Sequence, residues 1–91
     1  MYLYNTIYLT LIDKTKQVLQ IDIDYINPGS TLSELSADYL DQVEIILEME
    51  KVFKIDLAVN YPDTFYDETI RNICEIIHNK IIHKLRDTDE K

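Results

Sequence analysis

The densest group of chemically capable side chains in this 91-residue chain is Asp38-Tyr39-Leu40-Asp41, continued by Glu44 and Glu48. Carboxylates three and four positions apart share one side of a helix, yet they work as an acid and a base only where burial or crowding drives their pKa values apart. An exposed helix face supplies no such push, so these acids read as a charged surface. His78 and His83 are five positions apart, which does not give the shared helical face of an i, i+4 metal pair. Cys74 falls in an apolar stripe with no cationic neighbour to lower its pKa, and as the only cysteine it excludes an internal disulfide and a Cys-rich metal centre. No Gly-rich phosphate loop occurs, and no spacing supports a Ser-His-Asp arrangement. No catalytic residue, metal ligand or enzymatic activity is expected.

The chain carries a formal charge of -8, and all of it comes from one stretch. Between Ile21 and Glu50 stand Asp22, Asp24, Glu34, Asp38, Asp41, Glu44, Glu48 and Glu50, with no Lys or Arg among them. Such a field repels nucleic acid and anionic membrane surfaces and suits a basic protein face. Hydrophobic residues at 46% and charged residues at 29% match an ordinary globular domain, and the length allows one domain, residues 1–91. The first dozen residues lack a basic n-region, no apolar run is long enough to span a bilayer, and the lone cysteine fits a reducing compartment; a cytoplasmic monomer is expected.

These side chains need a scaffold, and the apolar spacing predicts a helical one. One Gly and two Pro leave few tight turns. Tyr4, Ile7, Tyr8 and Leu11 recur at helical spacing, predicting a first helix over about Tyr2 to Leu19. Gln20 to Ala37 reads as a long ordered loop with a turn at Asn27-Pro28-Gly29-Ser30, apolar pegs at Leu32 and Leu35, and a short helical turn capped by Ser30 or Ser33. A short strand over Gln20 to Tyr25 is the lesser alternative, since a lone strand has no partner. Asp38 is a good N-cap for a second helix that buries Val43, Ile46, Leu47, Met49 and Phe53 and turns Asp41, Glu44 and Glu48 outward. A short third helix is predicted over about Asp63 to Tyr66. The last helix should begin near Asp67 and carry the stripe Ile70, Ile73, Cys74, Ile77, Ile81 and Leu85 into a charged tail from Arg86 to Lys91.

From Tyr25 to Leu57 the chain resembles the acyl carrier proteins. Ile26-Asn27-Pro28-Gly29-Ser30-Thr31-Leu32 is similar to the loop ahead of that family's attachment site, Val43 to Glu50 to its second helix, and Phe53-Lys54-Ile55-Asp56-Leu57 to that helix's exit. The resemblance implies an all-α, small four-helix bundle with a long first loop and a short third helix. It also implies that Tyr39 stands where the family has the serine that bears a phosphopantetheine arm, so no cofactor is expected. Asp38, Leu40, Asp41, Glu44 and Glu48 then match the surface that docks onto basic patches of acyl-chain synthases and transferases, and Leu40 and Val43 would border an acyl cleft. Ser36 departs from the glycine common at its position, and Tyr61-Pro62 departs ahead of the last helix. The expected role is a non-enzymatic docking module of fatty-acid or polyketide-type metabolism. The alternatives are a true carrier, loaded at Ser33 or Ser36 or with serine natively at position 39, and, more remotely, an acidic helical inhibitor of a basic toxin or nuclease.

Overall fold

The computed structural model describes residues 2–22, 24–57 and 68–89. Three helices account for most of them: α1 (Tyr2–Leu19), α2 (Tyr39–Phe53) and α3 (Ile70–Asp89), with a single 3-10 turn at Ser33–Leu35 in the long connection between α1 and α2. The predicted short helix over 63–66 lies outside the described residues. Among the described residues there is no strand, and Gln20 to Asp22 and Asp24 to Tyr25, from the segment considered as a strand, are irregular. An isolated antiparallel β-bridge pairs Thr31 with Thr69.

α1 is the central packing element, meeting both α2 and α3. It buries Ile7 and Leu11 against Ile45, Ile46 and Met49 of α2 and Ile70, Ile73, Cys74 and Ile77 of α3, with Leu32 of the loop fully enclosed in the same cluster. Each such aliphatic side chain contributes about 1.5–3 kcal/mol on burial, so this cluster is the main source of cohesion. The long loop is held at several points. Tyr8 on α1 donates its hydroxyl proton to the Ile26 carbonyl at 3.1 Å. The carbonyls of Pro28 and Ser30 accept from the backbone N–H groups of Arg71 and Ile70, each at 2.9 Å. Two of the orphan donors at the start of α3 are thereby satisfied by the loop, which ties the segment ahead of α2 to the far helix.

Several local expectations need correction. Neither Ser30 nor Ser33 caps the 3-10 turn; Thr31 does, its Oγ1 accepting from Glu34 N–H at 3.1 Å while Glu34 Oε1 accepts from Thr31 N–H at 2.8 Å. α3 begins at Ile70, because Thr69 Oγ1 accepts from Asn72 N–H at 3.1 Å and sets the N-terminus there, while Glu68 and Thr69 ahead of it are not helical. The same helix runs on through Arg86 to Asp89, residues expected to form a tail. On α2, Leu47 is 42% exposed rather than buried, and Ile45 and Gln42 take the inward positions instead. Gln42 is tolerated there because its Nε2 donates to the Ala37 carbonyl at 3.2 Å and reaches Ser33 Oγ at 3.4 Å.

Candidate functional site

The candidate site is the head of α2 and the turn that leads into it. Asp38 is extended at φ -83°, ψ -176°, and its Oδ1 accepts from Asp41 N–H at 2.8 Å. Asp41 Oδ2 in turn accepts from Asp38 N–H at 3.1 Å, completing a reciprocal capping box. Two of the acids assigned to a docking face thus also build the helix that displays them. Tyr39 is the first residue inside the helix and is 46% exposed, and Leu40 beside it is 71% exposed. Leu40 points outward and does not line the core, while Val43 is half-buried.

The turn before the cap is tight. Ser36 adopts the left-handed conformation at φ 73°, ψ 21°, and its N–H donates to the Ser33 carbonyl at 2.9 Å. Ala37 N–H then returns to the Leu32 carbonyl at 3.1 Å, so the buried Leu32 anchors the chain immediately ahead of the helix. A glycine suits position 36 for this reason, since an L side chain in that region is strained.

The acids on α2 differ in their surroundings. Glu44 is exposed, whereas Glu48 is half-buried and sits between two lysines. Lys14 of α1 approaches its Oε1 at 3.7 Å, and Lys51 one turn on approaches its Oε2 at 3.3 Å. The expectation that Glu48 joins a wholly uncompensated acidic face is therefore corrected: bases from either side of the acidic stretch fold back onto it. Glu50 is also engaged within the chain, its Oε2 accepting from Leu57 N–H where the chain leaves α2. Sequence reasoning missed the Glu48 pairs because the lysines come from outside the segment that looked purely acidic, and it missed the Glu50 contact because its partner is a backbone N–H.

Other chemically capable residues lie elsewhere. Cys74 is fully buried, and burial pushes its thiol up to about 12, with Glu75 adding to the rise. A thiol held protonated in this way is a packing group. His78 packs edge-on against Tyr4 with ring centroids 6.0 Å apart, a structural contact between α3 and α1. His83 is exposed. Among the described residues no group of His, Cys, Asp and Glu is arranged to hold a metal ion, and no helix is long and apolar enough to cross a membrane.

No family profile and no solved structure matches the chain. The acyl carrier protein of Picosynechococcus sp. is 38% identical over 72 residues, an alignment that takes in 71% of this chain and 89% of that protein. With a three-helix core, a long clasped loop and an acid-capped second helix in place, that coverage settles the relationship: this chain belongs to the acyl carrier protein family.

Proposed function

We propose that the protein is a non-enzymatic docking module of acyl metabolism that presents a carrier-like recognition helix but takes no phosphopantetheine arm. The observation that carries this reading is the phenol of Tyr39 at the exposed head of α2, inside an intact capping box. Phosphopantetheine transfer in the family needs a primary hydroxyl close to the backbone at that place. A phenol holds its oxygen several ångströms farther out on a rigid ring, and misplacement on that scale is enough to defeat an in-line transfer. Ser33 and Ser36 are poor substitutes. Ser33 Oγ already receives Gln42 Nε2, and Ser36 is fixed within the tight turn ahead of the cap. The donor set therefore does not fit the arm.

Docking itself needs no arm. Asp38, Leu40, Asp41 and Glu44 form an acidic and apolar surface suited to basic patches of acyl-chain synthases or transferases, where rim charges set encounter rate and partner choice. Glu48, already bridged to Lys14 and Lys51, contributes least. The test is to incubate the protein with coenzyme A and a broad-specificity phosphopantetheinyl transferase and to weigh the product. Native protein should be unchanged and Tyr39→Ser should gain one arm. A gained arm on the native chain would overturn the reading, and peptide mapping to Ser33 or Ser36 would then identify a true carrier with a displaced site.

A further inference from the structure

We draw no further inference here: the strongest candidate, the aromatic side-chain cluster in which Tyr4 of α1 packs on His78 of α3 and Tyr8 bonds the long loop beside the exposed Tyr25, carries nothing because nothing in the structure shows what covers it.

Discussion

Replacing Asp38 separates the structural use of an acid from the docking role proposed for its charge. In Asp38→Ala the Oδ1 acceptor for Asp41 N–H disappears, and Asp41 is left to bond Asp38 N–H without its reciprocal partner. Loss of a side-chain N-cap costs about 1 kcal/mol. Removing a negative charge from the helix N-terminus adds about 0.5 kcal/mol at an exposed position. Together they give a loss of about 1.5 kcal/mol, which for a domain of this size lowers Tm by about 6–12 °C. Asp38→Asn keeps the capping oxygen and gives up only the charge, so it should cost about 0.5 kcal/mol or less. Thermal unfolding followed by circular dichroism distinguishes the two. If the asparagine variant falls as far as the alanine variant, the cap is not what Asp38 supplies; if alanine costs nothing, the capping box does not stabilise α2. The asparagine variant then becomes the clean probe for enzyme docking, since it loses charge while the helix start is kept.

Two further outcomes follow from particular residues. Ser36 sits at φ 73° on the surface with its side chain in no core contact, so Ser36→Gly should stabilise the fold by about 0.5–1 kcal/mol in urea denaturation, and no gain would mean the turn is unstrained. Cys74 has its thiol raised from 9.0 to about 12 in the folded chain, so the folded state holds its proton more tightly than the unfolded one. The associated stability is complete below about pH 9 and is lost as pH rises toward about 12, at up to about 1.4 kcal/mol per pH unit. Urea midpoints at about pH 7 and pH 10 should therefore separate less in Cys74→Ala than in the native chain; equal separation would mean the thiol ionises normally in the fold.

Much of the scaffold could be read from local pattern. α1 and α2 have the expected ends because their apolar spacing is long and their boundaries are marked, α2 by Asp38 with Asp41 at the reciprocal position and α1 by the loss of period after Leu19. Where the reading failed, the deciding partner lay outside the element being read. The start of α3 depends on carbonyls of Pro28 and Ser30, some forty residues earlier, and on the Thr31 bridge to Thr69. The inward place of Gln42 has a nearer cause: its slot is lined by the Ala37 carbonyl and Ser33, five and nine residues back, which satisfy the amide through a turn that the apolar period does not encode. The acidic stretch looked uncompensated because Lys14 belongs to another helix. Its residues at the site were therefore legible as types and positions, and their pairing was not.

The capping box also explains how a phenol can stand at position 39 without loss of the recognition helix. The capping bonds of α2 run between Asp38 and Asp41 and from Gln42 N–H to the Asp38 carbonyl at 3.0 Å, and none of these uses the side chain at the first helical position. Tyr39, 46% exposed, stands on a segment whose conformation is fixed on one side by Leu32 and on the other by the buried face of Ile45, Ile46 and Met49. On the reading proposed above, tethering depends on one oxygen atom, whereas display of the proposed docking surface depends on the cap and the core. The cap and core do not involve that oxygen, so on the same reading a change at position 39 can end the one while the other persists.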